Sequence, residues 1–446
     1  MKYQVAFGRK MLSVDVDPGR VVGTLCPRAV KPVADVQAAV AKALRSPIGC
    51  DGLDKLATGC KSALIITVDH TRPSPRPMLL PILEVCRRKG LSVSIIIATG
   101  RHRAMTPDEL HRHLGPDILS SCRILQHDAF DTASMVDKGV TSRGTRIMIN
   151  KAVFEHPLVI GCGIIEPSYL CGWSGGRKLL MPGLAHHESV DNNHYHLTQP
   201  GAEIGALDGN PVSEDSFEFA RDLPLHFIVY SVSGPNDETT RIVAGHWIDA
   251  HRAGCDLARQ IYATRLKQAD IVISSAGGWP YDCDLVQGKK AIIPAIKAVK
   301  PNGVIILAAE CPDGLGAEKT FVAWLRGKTP LEVTQDVLDR RQFSLGAHGA
   351  NILARPIVQK NARVIMVTNP AVAAQLKGTY LIPATSMAKA WQLANMIAGD
   401  DASVLFIEKA RRLILTAPAA SARALAAGKP AIRAKAPAGG KARRRA

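Results

Sequence analysis

No run of eighteen or more apolar residues occurs in this chain, so a transmembrane helix of ordinary length is excluded. The first ten residues also lack the long apolar core of a secretory signal peptide, and we therefore expect a cytoplasmic protein. The ten cysteines are scattered and include no Cys-x-x-Cys pair. This distribution argues against a disulfide scaffold and favours small buried thiols in a reducing compartment.

Two signatures of nucleotide binding are absent as well. The sequence has no Gly-x-Gly-x-x-Gly fingerprint, so a classical NAD site has no support. Its Ser-Gly-Gly-Arg-Lys stretch at 174–178 is not a Walker A motif, which requires Gly-x-x-x-x-Gly-Lys followed by Ser or Thr. A local cluster of histidines matches no standard zinc spacing; it consists of His186, His187, His194 and His196.

Acidic residues are missing from the segment 416–446, which carries eight of the basic ones. The whole chain has a formal net charge of +17, and +9 remains without this segment of Ala, Pro, Gly, Lys and Arg. Because the segment has few large apolar side chains to offset its chain entropy, we expect a disordered, solvated tail. The remaining charge forms no clear basic stripe, so nucleic-acid binding is not the function we expect.

The residues that are present indicate two α/β domains. A hairpin is predicted near 11–16 and helices at 36–44 and 284–300, and Thr106 has the sequence context of a helix N-cap. Runs of aliphatic and β-branched residues are typical of parallel strands buried on both faces, and they occur at 63–68, 92–98, 158–161, 270–274, 303–309, 363–367 and 403–407.

The strand pattern restarts after residue 265, which places a domain boundary there. We predict an N-terminal domain of residues 1–265, a C-terminal domain of residues 266–415 and a disordered tail of residues 416–446. Both domains are expected to have largely parallel sheets. Ligands of such sheets bind beyond the carboxyl ends of the strands, so we expect the site in the cleft between the domains.

Two loops that follow predicted strands carry candidate site residues. Arg72 offers a planar fork for a carboxylate or phosphate, and Asp69 could orient it, although a local salt bridge between the two is the alternative. His102 lies between Arg101 and Arg103, and neighbouring cations favour the neutral imidazole that a general base requires. The alternative for His102 is a loop histidine bonded to the backbone.

Two further candidates lie on the predicted helix 284–300 of the second domain. Gln287 and Lys290 are three residues apart and therefore share one face of this helix. A solvated helix face is the alternative interpretation. The glycine-rich loop that begins at Gly277 precedes the helix and makes a binding site at its start reasonable.

Three motifs together resemble the lactate racemase family, whose members carry a nickel-pincer nucleotide. They are the Asp-His-Thr-Arg-Pro loop at 69–73, the loop at 99–106, and the Ser-Gly-Gly-Arg-Lys turn with His194 sixteen residues after its lysine. The family cofactor is a pyridinium nucleotide with two thio groups, in which two sulfurs, a ring carbon and a histidine hold nickel. The resemblance implies a covalent thioamide link at Lys178 and His194 as the protein ligand to nickel.

The resemblance also assigns roles to the other candidates. Asp69 and Arg72 would help to fix cofactor and substrate, with Gln287 and Lys290 joining them from the second domain. Racemases of this family use two histidines, and His102 matches the first. The second belongs to a Glu-Pro-His pattern that reads Glu-Pro-Ser at 166–168 here, so Ser168 stands at this catalytic position.

This substitution determines which function we expect. Serine cannot act as a base near neutral pH unless another group activates it, and Val286 stands where the family has a tyrosine. We therefore expect a racemase or epimerase of a 2-hydroxy acid other than lactate, with cofactor-synthesis enzymes as partners and no membrane association. The alternative is a non-catalytic binding or carrier protein for nickel, the pincer cofactor or a carboxylate ligand.

Overall fold

The computed structural model describes residues 1–316, 319–339 and 343–417, and contains two six-stranded sheets. In the N-terminal sheet only the first pair of strands is antiparallel. Its strands, in spatial order, are Thr239–Gly245, Phe227–Ser233, Leu158–Ile165, Ser62–Thr67, Ser92–Ile97 and Arg123–Gln126. All eight residues of the strand Leu158–Ile165 are buried, as expected for a parallel strand covered on both faces.

The C-terminal sheet is parallel throughout. Its strands, in spatial order, are Ile382–Ala384, Arg363–Val367, Val299–Ala308, Ala269–Ser275, Val404–Ile407 and Val21–Leu25. The predicted architecture of two α/β units with largely parallel sheets is thus confirmed. Shorter strand pairs accompany these sheets: Lys2–Phe7 with Lys10–Asp15, Met135–Val140 with Arg146–Asn150, Pro167–Ser168 with Gly172–Trp173, and Ala263–Arg265 with Ile414–Thr416.

Helices connect the strands and cover the sheets. Within the described residues, none is long and apolar enough to cross a membrane. The α-helices span Val36–Arg45, Leu53–Leu56, Arg76–Arg88, Pro107–Leu114, Pro116–Ser121, His187–Tyr195, Pro211–Ala220, Asp249–Tyr262, Leu285–Gly288, Ile292–Ala298, Lys319–Gly327, Pro330–Asp336, Leu345–Lys360, Pro370–Gln375 and Met387–Ala398.

One predicted helix is wrong and one helix start is confirmed. Residues 284–300 form the short helix Leu285–Gly288, a 3-10 turn and the helix Ile292–Ala298, and a strand begins at Val299. Pro294 explains the restart, because a proline fits the first turn of a new helix but breaks a continuing one. Thr106 caps the helix Pro107–Leu114 in a capping box, as its sequence predicts.

The domain boundary at residue 265 stays a prediction. The first residues of the chain do not all pack with the N-terminal sheet. The strand Val21–Leu25 pairs in parallel with Val404–Ile407, so this part of the predicted first domain completes the C-terminal sheet. The expected disordered tail falls almost entirely on residues 418–446, which lie outside the described residues.

Candidate active site

Three neighbouring strands of the N-terminal sheet end at the candidate site. Asp69 follows the strand Ser62–Thr67, the His102 loop follows Ser92–Ile97, and Glu166 follows Leu158–Ile165. Because the strands are parallel and adjacent, their carboxyl ends bring the three loops together at one edge of the sheet.

Asp69 and His102 form a hydrogen-bonded pair. Nδ1 of His102 lies 2.6 Å from Oδ2 of Asp69, whose side chain is 5% exposed, whereas the imidazole is 56% exposed. Burial of Asp69 opposes ionisation, but hydrogen bonds from His102 and Thr71 outweigh it and lower the pKa of Asp69 to about 2. A carboxylate at Nδ1 selects the tautomer in which Nε2 carries the free lone pair, the form that a general base needs.

The arginines beside His102 are each paired with a carboxylate. Arg101 pairs with Asp191 and Arg103 with Glu109, so carboxylates compensate both neighbouring cations. That these arginines favour a neutral His102 stays a prediction. Side-chain direction, which sequence proximity does not reveal, makes Asp69 the group that faces the ring.

Arg72 faces Glu166 instead of forming a salt bridge with Asp69. Its Nε lies 3.4 Å from Oε1 of Glu166. The Glu166 carboxylate also contacts Arg411 and Arg412, which follow the strand Val404–Ile407 of the C-terminal sheet. Burial raises the pKa of Glu166, but Arg412, Arg72 and Arg411 together lower it to about 2. This ion cluster, Glu166 with Arg72, Arg411 and Arg412, joins the carboxyl ends of the two sheets.

Lys178 and His194 line one narrow cavity, too small to admit a water molecule, together with Cys171 and Met181. The glycine turn before Lys178 is required for this arrangement, because Gly176 has φ +57° and a Cβ there would lie 2.8 Å from Cγ of His251. The structure thus brings together the lysine and histidine that the spacing paired.

His194 is held as a neutral imidazole. Its Nδ1 lies 2.8 Å from the carbonyl oxygen of Val190, to which it donates, so the lone pair is on Nε2. Burial, followed by the Lys178 cation, lowers the pKa of His194 to about 4. The preceding residue, Asn193, fixes the helix His187–Tyr195 by donating to Asp215 at 2.7 Å.

Gln287 and Lys290 lie on the C-terminal side of this site. Nζ of Lys290 donates to Oε1 of Gln287, which confirms that the two side chains share one face. Burial, with Lys289, Arg72 and Arg411, lowers the pKa of Lys290 to about 7, although Glu166 acts in the opposite direction. These influences place Lys290 beside the ion cluster, where the two sheets meet.

Ser168 lies in the short strand Pro167–Ser168, opposite Gly172. Its hydroxyl accepts a hydrogen bond from Sγ of Cys171 at 3.5 Å. Burial raises the pKa of the Cys171 thiol, but the Lys178 and Arg177 cations outweigh this effect and lower the pKa below its usual range. In the described part of the chain, no imidazole or carboxylate is hydrogen-bonded to Ser168.

Sequence reasoning missed Glu166, Arg411 and Arg412 as functional candidates. A signal for the arginines was available, because they follow the predicted strand 403–407 as Asp69 and His102 follow theirs. Cys171 also escaped notice, since a lone cysteine in a glycine-rich turn has no distinguishing pattern.

Comparison with known proteins finds relatives that cover most of the chain. Residues 7–205 match the model of the lactate racemase N-terminal domain, and residues 264–414 match that of the lactate racemase C-terminal domain. The lactate racemase of Thermoanaerobacterium thermosaccharolyticum is 35% identical over 410 residues, covering 90% of this chain and 96% of that enzyme. The lactate racemase of Lactiplantibacillus plantarum is 33% identical over 320 residues, or 70% of this chain and 75% of that enzyme.

Solved structures give the same result. The lactate racemase apoprotein of T. thermosaccharolyticum superposes with a TM-score of 0.87 at 33% identity, covering 93% of this chain and all of that one. A Thermotoga maritima protein shares the fold at a TM-score of 0.65 and 17% identity, covering 88% of this chain. On the two domain matches and this extent of identity, the chain belongs to the lactate racemase family.

Proposed function

We propose that this protein is a racemase or epimerase of a 2-hydroxy acid other than lactate, and that it works with a nickel-pincer nucleotide attached to Lys178. Membership of the lactate racemase family supports an isomerase that acts on 2-hydroxy acids. The observation that carries the finer proposal is the shared cavity of Lys178 and His194, at the same end of the sheet as the Asp69–His102 pair.

The chain's own residues fit such a cofactor. His194 offers an Nε2 lone pair from a ring oriented by Val190, as metal-binding histidines require. Within the described residues no group of three or more His, Cys, Asp or Glu side chains is arranged to hold a metal ion, so a single-histidine site needs ligands from the cofactor. Lys178 and His194 would hold the cofactor, which would supply the hydride chemistry at C2 of the hydroxy acid.

His102 handles the proton in this proposal. Nε2 of His102 takes the proton from the C2 hydroxyl as the carbonyl forms, and it returns the proton when the hydroxyl is restored. Asp69 stabilises the imidazolium that exists between the two steps. Arg72 and Lys290 supply positive charge for the substrate carboxylate, with Gln287 orienting the Lys290 ammonium group.

Ser168 supports the choice of a substrate other than lactate. No imidazole or carboxylate of the described residues activates its hydroxyl, so the second face of the substrate has no general base at this position. Losing a proton-transfer group costs about 10² to 10⁴ in rate, which makes efficient lactate racemisation by this chain unexpected.

Intact mass spectrometry of protein co-expressed with cofactor-synthesis enzymes tests the proposal. We expect a covalent adduct and about one nickel per chain, in line with one lysine and one histidine in the cavity. Lys178→Ala should abolish the adduct, whereas Lys377→Ala, which changes an exposed lysine, should leave it intact. His194→Ala should lower the nickel content and retain the organic part of the adduct.

Two results would contradict this assignment. An adduct that survives Lys178→Ala would exclude Lys178 as the linking residue. Full loading without turnover of any 2-hydroxy acid in a broad panel would instead favour a carrier of the cofactor or of a carboxylate.

A further inference from the structure

A second cavity, of about 350 Å³, lies between the two halves of the chain and is separate from the Lys178 cavity. Residues from both halves form its walls, so a ligand there would contact both. Its apolar walls include Tyr169, Leu197 and Ile204 from the first half and Ile293, Ile296 and Ile352 from the second.

One end of this interdomain cavity holds a buried imidazole. His348 is 4% exposed, and its Nδ1 has no hydrogen-bond partner among the described residues. Burial, with smaller contributions from Lys289 and Arg355, lowers the pKa of His348 to about 3, so the ring is neutral. A neutral ring adds no charge to this end of the cavity.

The helix that carries His348 also carries a cation, Arg355. Arg355 follows His348 by seven residues of the helix Leu345–Lys360, which corresponds to about 10 Å along the axis. Burial lowers the pKa of this guanidinium, and nearby Glu203 acts in the opposite direction. Glu203 is already ion-paired with Lys297 at 2.8 Å, and no carboxylate of the described residues lies within ion-pairing distance of Arg355.

The charge of this cavity therefore favours an anion. Lys360 also lines it, so positive groups exceed the single carboxylate of Glu203. A partly buried cation without a counter-ion is stabilised by a ligand that brings a carboxylate, particularly because Arg can bind both of its oxygens. Ile352 lies between His348 and Arg355 on the helix, and Ile293 and Ile296 line the same cavity, so an apolar body suits the rest of the ligand.

We propose that the interdomain cavity binds an organic carboxylate with an elongated apolar body, whose carboxylate pairs with Arg355. Its apolar body lies against Ile293, Ile296 and Ile352, and its far end approaches His348 and Tyr169. This cavity is separate from the one that Lys178 and His194 line, and the inference rests on the proposed function only where the ligand is the reacting acid itself. Tyr169 directly follows Ser168, so the carboxylate belongs either to a separate acid or to the side chain of the reacting hydroxy acid.

Calorimetric titration of the full chain with butyrate, hexanoate, octanoate and 1-octanol tests the site. We expect octanoate to bind one per chain, with affinity rising about three- to fourfold for each added methylene. Arg355→Gln should weaken octanoate at least about tenfold and change 1-octanol binding less than about twofold. The matched control is Arg221→Gln, which alters an exposed arginine paired with Asp222 and should leave octanoate binding unchanged.

A second variant fills the space. Ala202→Trp places a large ring in the cavity from a half-buried position and should abolish octanoate binding while the circular dichroism spectrum stays native. Octanoate binding that is equally tight in Arg355→Gln, or that persists in a folded Ala202→Trp protein, would overturn the proposal.

Titration with 2-hydroxyoctanedioate distinguishes the two sources of the carboxylate. If both Arg355→Gln and His102→Ala weaken the binding of 2-hydroxyoctanedioate, the cavity binds the side chain of the reacting acid. Weakening by Arg355→Gln alone would assign it to a separate acid, and no weakening by Arg355→Gln would reject the site. Octanoate binding does not involve Lys178, so failure of this proposal and failure of the cofactor assignment are distinguishable.

Discussion

At the scale of single residues, the Asp69–His102 pair determines where the proton goes. His102→Ala should reduce turnover of the true substrate by at least about 10², because no other imidazole is proposed at the reacting hydroxyl. Adduct mass and nickel content should not change. The control His111→Ala alters an exposed histidine of the neighbouring helix and should leave turnover intact. Unchanged activity in His102→Ala would rule out this single-base mechanism.

Ser168 is the residue at which a gain of function is expected. Ser168→His should raise turnover of lactate, since an imidazole there restores a general base on the second substrate face. The assay is the interconversion of the lactate enantiomers by protein with normal adduct mass. Background turnover in a fully loaded variant would show that restoring the imidazole is not sufficient and would implicate the changed pocket around Val286.

At the scale of elements, the turn before Lys178 depends on glycine. Gly176→Ala should destabilise the fold by about 1–3 kcal/mol, because φ is +57° and the new Cβ would crowd His251. Gly59→Ala is the matched control, since its φ is +79° with nothing within 4 Å of a Cβ. Urea unfolding measures both. A cost for Gly176→Ala no larger than for Gly59→Ala would contradict the role of crowding.

Sequence predicted the elements better than their contacts. The parallel strands could be predicted from the sequence, because strands that are covered on both faces consist of continuous runs of aliphatic residues, as in Ser62–Thr67 and Ser92–Ile97. The loops of Asp69 and His102 followed from those strands, and Gln287 with Lys290 from helical spacing. The contact of Glu166 with Arg412 was not predictable, because no local pattern relates two residues from different sheets. The predicted helix 284–300 is wrong because its helical pattern continues across Pro294, where a new helix begins in the structure.

At the scale of the whole molecule, the ion cluster around Glu166 makes stability depend on pH. The pKa of the Glu166 carboxyl group is about 2 in the folded state, below the usual 4.5. The stabilisation that its ion pairs provide is therefore complete above about pH 4.5. Stability is then lost as pH falls toward 2, where the folded carboxyl takes up its proton. We expect the urea midpoint to fall across this range more steeply in the native chain than in Glu166→Gln.

The same variant has a second effect at neutral pH. Glu166→Gln removes the carboxylate that Arg72, Arg411 and Arg412 share, while Asp237 still pairs with Arg411 and Arg412. We expect a loss near the lower end of about 3–5 kcal/mol. Glu155→Gln, at an exposed glutamate, is the control and should change the midpoint little. Equal pH dependence in the native chain and Glu166→Gln would mean that other carboxyl groups govern acid unfolding.

The pairing of Val21–Leu25 with Val404–Ile407 has a consequence for biosynthesis. At translation rates of about 5–20 residues per second, the first of these strands leaves the ribosome roughly 20 to 75 seconds before the second. During that interval its backbone has no partner in the C-terminal sheet, while the N-terminal sheet already has all its strands once residue 245 has been made. The N-terminal half can therefore fold during translation, whereas the C-terminal sheet is completed only when synthesis is nearly finished.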